Sequence, residues 1–109
     1  MAVDWSSVSA QIANAVSGVV GPAWQNAAAG ASTQFAALIA AGQQIEQNQS
    51  TLSQAEYNSL KLMQQRALEG VLLTYQGIAI DIAEEAAAAA WNVLVSALSS
   101  AYPALGIVL

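Results

Sequence analysis

Seven residues in the second quarter of the sequence recur at alternating spacings of four and three. They are Trp24, Ala28, Ala31, Phe35, Leu38, Gly42 and Ile45. This is the heptad period of α-helices that pack along a shared seam. Two of the seven are alanine and one is glycine, so the helix that faces this seam must approach closely. The pattern predicts an all-α fold built from closely packed helices.

The first half of the chain contains a clear break between two helices. Residues 5–20 carry apolar side chains at helical spacing, and Gly21 and Pro22 follow them. Proline cannot continue a helix, but it suits the first turn of a new one. We therefore predict a first helix over 5–20 and a second over 22–48.

The second half of the chain carries one start signal and a late stop signal. Ser53 and Glu56 have the spacing of a capping box, in which each residue hydrogen-bonds the backbone N–H of the other, so a third helix is predicted to begin at Ser53. No proline follows before Pro103. The sequence therefore predicts one unbroken helix over 53–101 and an apolar tail over 102–109.

The two halves of the chain have matching lengths. At 1.5 Å per residue, the first two helices together span about 65 Å and the third about 72 Å. A short connection between helices favours antiparallel neighbours. We therefore expect a single domain over 1–109, a long antiparallel helical hairpin whose first arm is broken at Gly21-Pro22.

The composition excludes several classes of function. Only 8% of residues are charged, against roughly 25% in ordinary soluble domains, and the net charge is −5. Lys61 and Arg66 are the only basic residues, which argues against specific nucleic-acid binding. The chain has no histidine and no cysteine, so serine or threonine nucleophiles lack their usual base. We expect no enzymatic activity, no cofactor and no catalytic or metal site.

One acidic group invites a metal-binding interpretation. Asp81 and Glu85 share a helix face, and Glu84 is adjacent. Hard cations take about six or more oxygen ligands, and few other donors are near in the sequence. We expect a solvated or pore-lining acidic patch instead.

Two segments of the chain contain no acidic or basic residue, 5–15 and 86–109. The hairpin brings them together as one uncharged pole, which we expect to meet either lipid or partner subunits. Tryptophan and tyrosine favour the boundary between apolar and wet regions. The side chains assigned to this apolar pole are Trp5, Trp91, Val95, Leu98 and Tyr102.

A broad apolar band occupies most of the circumference of the predicted third helix. A helix that is apolar on most sides is normally buried on several sides, and one partner arm cannot cover it. Further copies of the chain, in a bundle, tube or ring, are the expected cover. The expected oligomer interface consists of Leu68, Val71, Leu72, Tyr75, Ile78 and Ile82.

These features favour a self-assembling structural protein. We expect a repeated subunit of a tube or channel in a bacteriophage particle, such as a DNA-ejection conduit. The expected partners are copies of the chain, with other structural proteins of the particle or a membrane as further contacts. The alternatives are a membrane-inserting, pore-forming hairpin and a soluble secreted or adaptor hairpin. The first residues show no signal peptide, so we expect synthesis in the cytoplasm and a final site in a virus particle or host envelope.

Overall fold

The computed structural model describes residues 3–105 and 107–109. These residues form four α-helices, and the prediction of an all-α fold is confirmed. The helices are α1 (Trp5–Val20), α2 (Trp24–Gln47), α3 (Gln54–Leu73) and α4 (Ile80–Ala101), with a 3-10 turn over Gly21–Ala23 between α1 and α2.

The predicted break between the first two helices is confirmed. Asp4 caps α1 by accepting a hydrogen bond from the backbone N–H of Ser7. Gly21 ends the helix with a φ of 75°, in the left-handed region that favours glycine. The 3-10 turn then places Pro22 in its first residues, and α2 follows without a gap.

The predicted start of α3 is also confirmed. The hydroxyl of Ser53 accepts a hydrogen bond from the backbone N–H of Glu56 at 3.1 Å. The carboxylate of Glu56 accepts one from the backbone N–H of Ser53, also at 3.1 Å. This capping box satisfies two backbone donors that a helix start otherwise leaves unpaired.

The prediction of one unbroken third helix over 53–101 is wrong. The helix ends at Leu73, and α4 begins only at Ile80. Gly77, in the connection between them, has a φ of 91°, which an α-helix cannot accommodate. A glycine without a neighbouring proline does not by itself stop a helix in the sequence, and this break was therefore missed.

The long hairpin is corrected by the same break. Because the chain reverses at Gly21 and again near Gly77, α1 packs against α2 and α4, and α3 packs against α2 and α4. Helices α2 and α4 also meet across the centre. The protein measures 42 × 26 × 18 Å, well short of the predicted arm length. The result is an antiparallel arrangement of four helices around one core.

We refer to the two ends of the bundle as the Glu46 end and the Gly77 end. The Glu46 end contains the start of α1, the end of α2, the start of α3 and the end of α4. The Gly77 end contains the two turns with positive-φ glycines, where Gly77 approaches Ala23.

The core is formed by aliphatic side chains from all four helices and by the aromatic rings of Phe35, Tyr57 and Trp91. The ring nitrogen of Trp91 donates a hydrogen bond to the hydroxyl of Tyr57 at 3.0 Å. Both side chains are almost completely buried, with exposures of 0% and 1%. Of the heptad seam, Ala31, Phe35, Leu38, Gly42 and Ile45 are buried, and Trp24 and Ala28 are half-buried.

Candidate functional site

A single carboxylate joins three separate segments of the chain at the Glu46 end. Glu46 is half-buried in the last turns of α2. It accepts hydrogen bonds from the backbone N–H of Val3 at 3.0 Å, from the ring nitrogen of Trp5 at 3.0 Å and from the hydroxyl of Tyr102 at 2.6 Å. The beginning of the chain and the end of α4 are therefore tied to α2 through one side chain.

The three hydrogen bonds act on the acidity of Glu46. Partial burial by itself raises the pKa of this carboxyl, but donation from Tyr102, Val3 and Trp5 outweighs it and holds the pKa below the ordinary value of 4.5. The phenol of Tyr102 responds in the opposite sense: its hydrogen bond to Glu46 raises its pKa. Glu46 is therefore ionised at neutral pH, where it acts as a charged acceptor for three neutral donors.

A glycine makes room for the indole ring of Trp5. A methyl group on Gly42, one turn before Glu46, would lie 2.5 Å from the nearest carbon of the Trp5 ring and 3.0 Å from a methyl carbon of Leu94. Only glycine allows the ring to lie this close to α2 while its nitrogen reaches Glu46. The small residue in the heptad seam thus serves the contact between α1 and α2.

The C-terminal segment is attached at the same end by a different contact. The side-chain amide of Gln54, at the start of α3, donates to the carbonyl of Val108 at 2.9 Å and accepts from its backbone N–H at 2.7 Å. Ile107 and Leu109 pack against the core, while the side chain of Val108 is 81% exposed. The predicted apolar tail is thus folded back onto the protein's own surface.

The expected oligomer interface lies largely inside the single chain. Leu68 and Leu72 are completely buried and Ile78 is 7% exposed. Val71, Tyr75 and Ile82 are half-buried. Leu68, Leu72 and Ile78 therefore cannot contact copies of the chain, because the reversal near Gly77 folds the two halves of the band onto α2 and onto each other. For Val71, Tyr75 and Ile82 the contact between copies stays a prediction.

The apolar pole is also different from the prediction. Trp91 and Leu98 are fully buried core residues, and Trp5, Val95 and Tyr102 are half-buried. The segments 5–15 and 86–101 do lie in neighbouring helices. However, Glu46 lies among them and bonds two of the assigned side chains, so this end is not uncharged.

The most exposed apolar side chains of the helices are found mainly on α3. Leu62 is 47% exposed, Met63 61% and Leu73 43%. On α4, Ile80 is 65% exposed at the start of the helix. Gly70 lies on the exposed side of α3, and a methyl group added there would meet no atom of the described residues within 4 Å, apart from the adjoining part of its own helix. Helix α3 therefore has one side that contributes nothing to the bundle core.

The acidic residues near the start of α4 are exposed and are not gathered around a site. Asp81, Glu84 and Glu85 are exposed. Among the described residues, no group of three or more potential metal ligands comes together. Within the same residues, no helix is both long enough and apolar enough to cross a bilayer.

The comparisons with known proteins give no relative. No protein-family model matches the sequence, and no curated protein and no solved structure is significantly similar to it.

The sequence analysis missed Glu46. A signal was present, because Glu46 is the only charged residue between Asp4 and Glu56. A lone carboxylate beside a buried heptad seam needs donors to offset its loss of water. Its donors, however, are 41 to 56 residues away in sequence, so no local pattern indicates them.

Proposed function

We propose that this protein is a non-enzymatic structural subunit that associates with further copies of itself. The observation that carries the proposal is the exposed side of α3. There Leu62, Met63 and Leu73 face solvent, whereas most other large apolar side chains of the described residues are buried or half-buried. Scattered exposed apolar residues are ordinary. Several on one helix, beside an open glycine, are typical of a surface that a partner covers.

The chemistry of the chain supports a structural role over a catalytic one. The sequence has neither histidine nor cysteine. In the described residues, every buried side-chain nitrogen or oxygen has a hydrogen-bond partner, so the buried polar groups are used within the fold. The most elaborate polar cluster, around Glu46, connects segments of the chain and thereby stabilises the fold.

The setting that we propose is a tube or channel of a bacteriophage particle, in which this chain is a repeated subunit. Small size, low charge and the lack of the usual catalytic side chains support this setting. Leu68, Leu72 and Ile78 are buried within one chain, and the exposed side of α3, which includes Leu73, is the proposed contact between copies.

The mass of the purified protein in solution tests self-association. We expect sedimentation equilibrium to give a mass above the 11.2 kDa of one chain at concentrations of tens of micromolar, and the mass to rise with concentration. Electron microscopy of the heaviest fraction then distinguishes rings or tubes from small closed oligomers. A mass of one chain throughout, up to the highest soluble concentration, would overturn the proposal.

A further inference from the structure

Four exposed or half-buried residues on α3 form a symmetric pattern. In either direction along the helix, two charged residues lie between two leucines. They are Leu62, Arg66, Glu69 and Leu73, at steps of four, three and four. At 100° per residue they fall within an arc of about 60°. We call these four residues the α3 face.

The structure leaves the α3 face outside the core. Leu62 and Leu73 are 47% and 43% exposed. Arg66 is exposed and Glu69 half-buried. The core side of the helix is formed by Tyr57, Leu68 and Leu72, which are buried. The two leucines and the two charged side chains therefore do not belong to the bundle core.

An antiparallel copy of α3 is complementary to this face. If the two-fold axis passes between residues 67 and 68, Leu62 of one copy lies opposite Leu73 of the other. Arg66 likewise lies opposite Glu69. The symmetry repeats both contacts, so each dimer has two contacts between leucines and two between opposite charges. A parallel pair would place arginine against arginine and glutamate against glutamate, which is unfavourable.

Gly70 allows the two helices to approach. It is exposed on α3 beside the α3 face, and apart from the adjoining residues of its own helix no described atom lies within 4 Å of a methyl group built on it. A glycine within a helix costs roughly 1 kcal/mol relative to alanine, and no contact inside the bundle requires it. A small residue at a contact between helices permits a short distance between their axes.

We propose that two copies of this chain associate through antiparallel packing of α3 on α3, about a two-fold axis at the centre of the α3 face. This inference rests on the self-association proposed above and names the surface and the orientation. The charge complementarity of the face with itself identifies the partner as a second copy. A two-fold contact of this kind is closed, so a tube or ring would need a second, different contact.

Cysteine cross-linking tests the orientation, because the chain contains no cysteine of its own. Leu62→Cys and Leu73→Cys are prepared as separate proteins, mixed and mildly oxidised. In the antiparallel pair, positions 62 and 73 of different copies are opposite, whereas the two positions 62 are roughly 16 Å apart along the axis, too far for a disulfide. We expect the mixture to give at least about tenfold more disulfide-linked dimer than either variant alone, from this difference in distance.

Ala36→Cys, on the exposed side of α2, is the matched control and should not cross-link with Leu73→Cys. Efficient linking of Leu62→Cys with itself would overturn the antiparallel arrangement. If the mixture fails to link while the wild type still sediments as an oligomer, the inference is wrong and the proposed function stands. If the wild type is a monomer at every concentration, both the inference and the proposed function are wrong.

Charge reversal gives an independent test. Arg66→Glu faces Glu69 of the partner twice in each dimer, so we expect the dissociation constant to rise at least about tenfold. The double variant Arg66→Glu with Glu69→Arg exchanges the two charges and should restore the affinity to within about threefold of the wild type. Circular dichroism of each variant at monomer concentration checks that the fold is unchanged. Equal affinities of the single variant and the wild type would contradict the proposal.

Discussion

At each end of the bundle an aromatic ring lies against a glycine of α2. At the Glu46 end the ring is Trp5 on Gly42, and its nitrogen is bonded to Glu46. At the Gly77 end the ring is Tyr75, which approaches Gly30 with its hydroxyl end. The first ring is confined by a hydrogen bond at its edge and by Leu94, whereas the second meets its glycine with the far end of a half-buried side chain.

The difference follows from how the chain is connected at the two ends. At the Gly77 end, the neighbouring helices are joined by short turns, and the positive φ values of Gly21 and Gly77 fix their direction. At the Glu46 end, no turn joins the start of α1 to the end of α4, and hydrogen bonds to Glu46 hold these two segments instead. Side-chain hydrogen bonds therefore connect α1 and the end of α4 to α2 at the Glu46 end, whereas backbone turns connect neighbouring helices at the Gly77 end.

The largest expected effect comes from adding a methyl group to each of the two glycines of α2. Gly42→Ala forces Trp5 away from α2 and from Glu46, and we expect a loss of about 2 kcal/mol in the free energy of unfolding. Gly30→Ala displaces only the end of the half-exposed Tyr75 side chain. The better helix propensity of alanine offsets this, so we expect a change within about 0.5 kcal/mol of the wild type.

Chemical denaturation of both variants measures this difference. Gly18→Ala is the control, because a methyl group there meets no described atom within 4 Å apart from the adjoining part of its own helix. The control should gain up to about 1 kcal/mol. Equal losses for Gly42→Ala and Gly30→Ala would show that the two ends are not different in rigidity.

Neutralising Glu46 is expected to have the next largest effect. Glu46→Gln keeps one acceptor oxygen but loses the charge that strengthens three hydrogen bonds, and we expect a loss of about 1–2 kcal/mol at pH 7, after allowance for solvent screening of this half-exposed group. Glu84→Gln, on the exposed side of α4, is the control and should change little.

The same residue predicts the response of stability to pH. The pKa of Glu46 is lower in the folded protein than its ordinary value of 4.5, so its stabilisation is complete above about pH 4.5 and is lost as the pH falls through the folded pKa. Urea midpoints at a series of pH values should therefore decline less steeply for Glu46→Gln than for the wild type. Parallel declines would mean that Glu46 does not contribute in its ionised form.

A smaller effect is expected from the turn at the opposite end. Gly77→Ala introduces a side chain at a φ of 91°, and we expect a loss of about 1 kcal/mol. Gly70→Ala, at a helical position with open space around it, should instead be neutral or stabilising when measured on the monomer. A stabilising Gly77→Ala would indicate that the chain prefers a continuous helix through this connection.

The smallest expected effect concerns the C-terminal segment. Gln54→Ala removes both hydrogen bonds to Val108 but leaves the capping box at Ser53 intact, and we expect a loss of about 0.5 kcal/mol in global stability. Hydrogen exchange at the amide of Val108 should nevertheless become markedly faster, because this segment can open locally. Unchanged exchange would show that Ile107 and Leu109 hold the segment without Gln54.

The sequence predicted those parts of the fold that depend on neighbouring residues. The boundary at Gly21 and Pro22 and the cap at Ser53 follow from residue types that restrict the backbone directly. The reversal near Gly77 was missed because Ala79 provides no side-chain cap for α4 and no proline is near. An indication was present in the apolar band, since side chains on most sides of one predicted helix can also belong to two helices that fold together.

The candidate sites were less predictable than the helices. Glu46 draws its donors from residues that are distant in sequence, and only the packing of four helices brings them together. The α3 face, with Arg66 and Glu69 at its centre, was not among the sites assigned from the sequence. Its self-complementary order becomes informative only when the structure shows that Leu62 and Leu73 are exposed.

The three tryptophans lie in different regions of the bundle, so their fluorescence can report the unfolding of each region separately. Trp5 reports the Glu46 end through its bond to a carboxylate, and Trp91 lies fully buried midway along α4. Trp24 begins α2 at the Gly77 end and stacks on Phe35 with ring centres 5.8 Å apart. Variants that keep one tryptophan at a time would each fluoresce from one region of the bundle. The order of their red shifts in denaturant would give the order in which these regions admit water.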